Sequence, residues 1–142
     1  MIGAAVVAVI LICGIIYLSR SSPKPAPQAP PTPEAKAYVH YLKLSNVNVK
    51  AAENLMNQRV VEVDGDVTNT GPRSLQSVEV YCQFYDIHGR ELDRQRVPMV
   101  AAAGNPLKPG ETRPFRLPFD TLPDGWNQAV PGMVIARIVF AR

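Results

Sequence analysis

The chain is poor in the residues that carry catalysis and metal binding. Its 142 residues include two histidines, two cysteines and one tryptophan. His40 and His88 stand apart, and neither has a cysteine, a second histidine or a carboxylate at metal-ligand spacing, which disfavours zinc. There is no G-x-S-x-G turn and no glycine-rich loop of the kind that cradles phosphate. With no nucleophile, base and orienting group to assemble, the chain reads as a non-enzyme that needs no cofactor and no metal. Cys13 lies in an apolar N-terminal run and Cys82 in a strand pattern, so the two cannot form a disulfide in the folded protein. Cys82 occupies a place where valine would serve and reads as a small hydrophobe. Long runs of one charge are also missing. The formal net charge is +3, and Arg20 and Lys24 precede the foldable part, which is therefore close to neutral with both signs mixed. No basic stripe is interleaved with stacking aromatics, and this argues against nucleic acid as a partner.

Apolar sequence is concentrated first at the N-terminus. From Ile2 to Leu18 runs IGAAVVAVILICGIIYL, free of charge. As a helix at about 1.5 Å per residue it spans about 26 Å, the short end for a bilayer crossing. Tyr17 and Arg20 extend its reach, because an aromatic ring settles at the headgroups and an arginine stem snorkels outward. No basic start precedes it and no A-x-A-like site ends it, so it reads as an uncleaved anchor, not a signal peptide. Ile12 before Cys13 is too large for a lipoprotein site. Residues 1–19 are therefore expected to form one transmembrane helix of a single-pass cell-membrane protein. Read literally, Arg20 and Lys24 place the following domain in the cytoplasm. The rigid stalk argues the other way, and the balance leans to the extracytoplasmic side.

Residues 20–35 are proline-rich, with six prolines between Pro23 and Pro33. Each fixes its own φ and pushes its predecessor toward extended conformations, so a polyproline II stalk is expected. At about 3.1 Å per residue its centre reaches about 34 Å. Pro27 and Pro30 match the PxxP spacing of a docking peptide, but this density of proline generates such matches by itself, and the spacer reading is preferred.

After Lys36 the period changes to two, the mark of strands that bury one face. In VVEVDGDVT, Val61, Val63, Gly65 and Val67 share one face and Glu62, Asp64, Asp66 and Thr68 the other. In SVEVYCQFYD, Val78, Val80, Cys82 and Phe84 oppose Glu79, Tyr81, Gln83 and Tyr85. TNTGPRSL and DIHGREL supply turn residues. RPFRLPF alternates Phe115, Leu117 and Phe119 with Pro114 and Pro118, and two prolines place it at a sheet edge. HYLKLSNVNV slips phase between Leu44 and Val47, as a bulge would. MVIARIVFA sets Val134, Ala136, Ile138 and Phe140 against Ile135, Arg137 and Val139, a pattern suited to a central strand. With ELDRQRVPMV as a weaker strand, about seven are counted, which predicts an all-β antiparallel sandwich over residues 36–142.

The pattern Val63, Gly65, Val67, Asn69, then Val78, Val80, Phe84, Tyr85, Asp86, Gly89, then Leu107, Pro109, Gly110 and Phe115 resembles the FxLYD-type domain and related bacterial families of unknown function, with FYDIHG at the place of the name-giving motif. The resemblance spans about Tyr38 to Phe140. It implies an immunoglobulin-like module behind a membrane anchor, and it brings no catalytic residues with it.

Candidate sites are few. Glu62, Asp64 and Asp66 project from one strand face, but a straight strand offers too few oxygens for calcium and reads as a solvated face. Arg90, Arg94 and Arg96 mix with Glu91 and Asp93 and read as surface pairs. The exposed aromatic set Tyr81, Tyr85 and Trp126 is the candidate interaction face, because tyrosine and tryptophan are enriched at interface hot spots; the alternative is that it covers the second sheet's core. The expected function is a membrane-anchored, non-catalytic interaction or scaffold module of the bacterial envelope, binding a protein partner or another copy of itself. The alternative is a small-ligand or lipid-binding envelope domain, which an apolar cavity between the sheets would favour.

Overall fold

Alternating burial along the strands organises the molecule, of which a computed structural model describes residues 31–53, 55–56 and 59–142. The expected membrane helix, residues 1–19, lies outside the described residues, as does most of the stalk. Among the described residues no helix is long and apolar enough to cross a membrane.

Among the described residues six strands follow a short helix: α1 (Pro33–Tyr38), a 3-10 turn (Val39–Tyr41), β1 (Leu42–Glu53), β2 (Arg59–Asn69), β3 (Leu75–Tyr85), β4 (Glu91–Val100), β5 (Thr112–Phe119) and β6 (Gly132–Phe140). They form two three-stranded sheets, β1-β2-β5 and β4-β3-β6, with every pairing antiparallel. The fold is an all-β sandwich of six strands where about seven were expected.

The phases of the two longest patterns are as read. Val61, Val63, Gly65 and Val67 are buried on β2, and Val78, Val80, Cys82 and Phe84 on β3, while the intervening residues are half-buried. Phe115, Leu117 and Phe119 enter from β5, and Phe84 meets the Phe119 ring edge-on at 5.1 Å. Fully burying one such side chain contributes about 1.5–3 kcal/mol, so these inward positions carry the sandwich. Gly65 is required by this packing, since a Cβ there would come within 2.6 Å of Phe115 Cζ. The β1 bulge falls between Ser45 and Asn48, with Asn46 at φ 55°, a conformation asparagine tolerates better than most residues. Pro114 and Pro118 sit on β5 at a sheet edge, as the prolines required.

β6 differs from expectation twice. Among the described residues it lies at an edge, not centrally, bonded to β3 alone within its sheet. Its register also shifts: Ile135 lies opposite Val80 and Arg137 opposite Glu79, leaving Ala136 as a bulged residue. The bulge reverses the alternation that a straight strand would keep. Met133, Ile135 and Ile138 therefore align with the inward residues Cys82, Val80 and Val78, and Val134 and Arg137 with the outward Tyr81 and Glu79.

The chain enters the domain earlier than the stalk pattern suggests. Thr32 caps α1 through Oγ1, which accepts from Ala35 N at 3.1 Å, and proline begins the helix. Pro33, Glu34 and Ala35, expected as the end of the stalk, form the first turn of α1, and Ala35 and Tyr38 are buried against the sandwich. Tyr38 packs edge-on against Phe140 at 5.2 Å. Its hydroxyl donates to Asn69 Oδ1 at 2.9 Å and accepts from Arg73 N at 3.1 Å. Fully buried Asn69 also accepts from Gly71 N at 3.1 Å and donates to Arg73 O at 2.7 Å and Leu107 O at 3.1 Å. Both donors and both acceptor sites of the amide are thus in use. Gly71 permits this closeness, because a Cβ there would overlap the Tyr38 hydroxyl and ring.

Candidate interaction face

The phase of β3 points Glu79, Tyr81, Gln83 and Tyr85 to the outer face of the β4-β3-β6 sheet. The turn at Asp86 fixes what lies beside them. Asp86 Oδ1 accepts from His88 N (2.8 Å) and Arg90 N (2.9 Å), and Oδ2 from Arg90 Nε (2.8 Å). These bonds, led by the one from Arg90 N, hold the Asp86 carboxyl below its usual range. The register they set places Arg96 opposite Tyr81 and Arg94 opposite Gln83.

Tyr81 consequently lies beside two guanidinium groups of β4, with Arg94 Cζ 5.6 Å and Arg96 Cζ 5.8 Å from its ring centroid. Both distances suit cation–π attraction. Each arginine is oriented by a carboxylate: Arg94 donates to Glu91 from Nε (2.9 Å) and from its terminal nitrogen (3.0 Å), and Arg96 pairs with Glu79. These bonds push both guanidinium groups above their ordinary pKa, and Arg94 pulls Glu91 below its own. Tyr85 donates to Gln83 Oε1 at 3.1 Å. On the other flank Val134 lies opposite Tyr81 and is 49% exposed. The result is a plate of tyrosine and held arginines with an exposed aliphatic border.

Of the three aromatics expected together, Tyr81 and Tyr85 share this face and Trp126 does not. Trp126 packs edge-on against Phe84 at 5.7 Å, on the core side of β3, where, half-buried, it lies against the hydrophobic cluster. Arg94 and Arg96 are the residues that sequence reasoning passed over as solvated pairs. Their signal was the short DIHGR turn, which fixes the cross-strand register once both strands are assigned.

The other candidates are tied up locally. Lys50 Nζ lies 2.6 Å from Asp64 Oδ2, and this bond first of all lowers the Asp64 pKa. Arg116 Nε lies 3.3 Å from Glu62, and Asn46 donates to Asp66 at 2.9 Å. Beside them is a depression of about 440 Å³ on the outer side of the β1-β2-β5 sheet, floored by Gly65 and Phe115. No group of three or more histidine, cysteine, aspartate or glutamate side chains able to hold a metal occurs among the described residues. His40 Nδ1 contacts Ala37 O at 2.6 Å, and His88 is exposed in the turn. Burial pushes the Cys82 thiol up to about 11, so it stays a thiol at neutral pH.

No family model, characterised protein or solved structure matches the chain.

Proposed function

We propose that this protein is a non-catalytic interaction module of the bacterial envelope, anchored by residues 1–19 and carried on a proline-rich stalk at the extracytoplasmic side. The carrying observation is the plate around Tyr81. Tyrosine and arginine are the residues that interfaces concentrate, and here both arginines are already oriented by Glu91 and Glu79, so little side-chain freedom is lost on binding. The strand order agrees with an immunoglobulin-like module in which β1, β2 and β5 take the places of A, B and E, and β4, β3 and β6 those of C′, C and F, with no strand at position G among the described residues. This also accords with the resemblance to FxLYD-type domains.

The ligand-binding alternative gains no support from the interior. Phe84, Phe119, Leu75, Leu107 and Leu117 occupy inward positions at 2% exposure or less. A photo-crosslinking residue at Gln83 in the full chain, within native membranes, tests the reading. A discrete adduct is expected there and not from Thr68 on the opposite sheet, and Tyr81→Ala should abolish it while leaving the circular dichroism unchanged. Equal adducts from both faces, or an adduct indifferent to Tyr81→Ala, would remove this plate as the binding surface.

A further inference from the structure

An open sandwich has four edge strands, and a bare edge offers unpaired N–H and C=O groups to other chains. Three edges here carry features that blunt them. β1 is bent by its bulge and exposes Lys43 and Lys50. β5 holds Pro114 and Pro118, and β4 holds Pro98 and alternates through Glu91, Asp93, Arg94 and Arg96. β6 has no proline and no lysine, and Arg137 is its one charge in nine residues. It is also the strand beside which the seventh strand of an immunoglobulin-like sheet would lie.

The sequence of this edge is complementary to itself. Val134-Ile135-Ala136-Arg137-Ile138-Val139 has valine then isoleucine read from either end. In a straight strand, a two-fold axis passing between neighbouring residues would set inward residues against outward ones, because side chains alternate. The Ala136 bulge removes that conflict for the outer rungs and confines it to Ala136 and Arg137 at the axis itself. Val134 and Val139 both lie in the outward column, opposite Tyr81 and Ser77, and Ile135 and Ile138 both align with core residues, Val80 and Val78.

We propose that β6 is a homodimerisation edge. Two copies lay their β6 strands antiparallel about a two-fold axis between Ala136 and Arg137, forming one six-stranded sheet β4-β3-β6-β6-β3-β4. Val134 then faces the partner's Val139, and Ile135 the partner's Ile138, an isologous contact in which like faces meet. A second copy fits this edge better than a foreign strand because the pattern is its own mirror under that axis. The axis is perpendicular to the sheet, so the Tyr81 plates of both copies come to lie on one surface. Only this last consequence rests on the proposed function; the pairing stands on the edge itself.

The test uses the full chain in mild detergent with Cys13→Ser, which leaves only the buried Cys82. Opposed Cα atoms in an antiparallel pair are about 4.5–5.5 Å apart, within disulfide range. Within one chain positions 134 and 139 are about 15 Å apart, beyond it. Val134→Cys combined with Val139→Cys should give a disulfide-linked dimer under mild oxidation, and neither single variant should. Val134→Lys, at an exposed position, should convert the dimer to monomer in sedimentation with an unchanged circular dichroism spectrum. A monomeric full chain, a dimer that survives Val134→Lys, or single variants that crosslink as well as the pair would each overturn the proposal. Tyr81→Ala should leave the disulfide yield unchanged, so loss of crosslinking at the plate and loss of the β6 disulfide report on the two readings separately.

Discussion

The two ends of the sandwich are closed by different physics. At the end where α1 docks, Asn69, Tyr38, Gly71, Arg73 and Leu107 are joined by directional hydrogen bonds around a fully buried amide. At the other end Phe84, Phe119 and Trp126 stack edge-on, and Trp126 Nε1 is buried with no partner among the described residues. The first arrangement specifies one geometry, because each atom of the plug is lost if its neighbour moves. The second supplies burial and tolerates adjustment, since ring packing is non-directional apart from its edge-to-face preference.

Removing a ring from the packed end should have the largest effect. Phe84→Ala is expected to cost about 3–5 kcal/mol in denaturant unfolding, through lost burial and the cavity left against Phe119 and Trp126. At the bonded end, Asn69→Ala should cost about 2–3 kcal/mol, because it strands the Gly71 amide, removes an acceptor of the Tyr38 hydroxyl proton and leaves the Leu107 carbonyl with its Leu75 bond alone. Asn69→Ala matching Phe84→Ala would show that the plug, not the rings, dominates. Tyr38→Phe keeps the ring and removes one hydroxyl, and should cost about 1–2 kcal/mol by the same measurement. Tyr85→Ala, on the outer face next to Phe84, should cost less than about 1 kcal/mol; if it exceeded Phe84→Ala the facing of β3 would be inverted.

Acid should separate the ends more gently. Asp86 has its pKa lowered by the amides of Arg90 and His88 and by the Arg90 side chain. A carboxylate with a depressed folded-state pKa contributes stability that is present above its unfolded value, about 3.9, and is lost as pH falls through the folded one. The bonds of the Asn69 plug involve no carboxylate. Below about pH 4, hydrogen exchange should therefore quicken at the amides of His88 and Arg90 before that of Gly71.

The sandwich was legible because β2 and β3 bury one face cleanly, so period two gave the inward set without ambiguity. The β1 bulge and the edge position of β5 were legible too, from a phase slip and from two prolines. β6 was not, because apolar residues on both sides of a strand mean a central position only if the strand is straight. The Ala136 bulge and an edge position produce the same letters. Trp126 was misplaced because exposure cannot be read for an aromatic in a loop, whose backbone has no period. The plug escaped notice for a related reason: Asn69 and Tyr38 are 31 residues apart, and a lone asparagine before a turn reads as a turn residue. The Tyr81 plate was half visible, since strand phase gave Tyr81 and Tyr85 while the arginines needed the register of the hairpin.

The docking of α1 also decides how the domain would carry a load. Under the proposed tethering, a pull arriving from the N-terminal side meets the capped turn at Thr32 before it reaches the strands. If α1 were free, the tension would arrive at Leu42, the first rung of the β1–β2 ladder, and peel the rungs apart singly. Instead it meets Tyr38, whose hydroxyl bonds and ring contacts with Tyr41 and Phe140 must yield together. The tyrosine is a cleat around which the line is made fast before it reaches the sheet, and the force needed to unfold the domain by pulling on its N-terminal side should be set there.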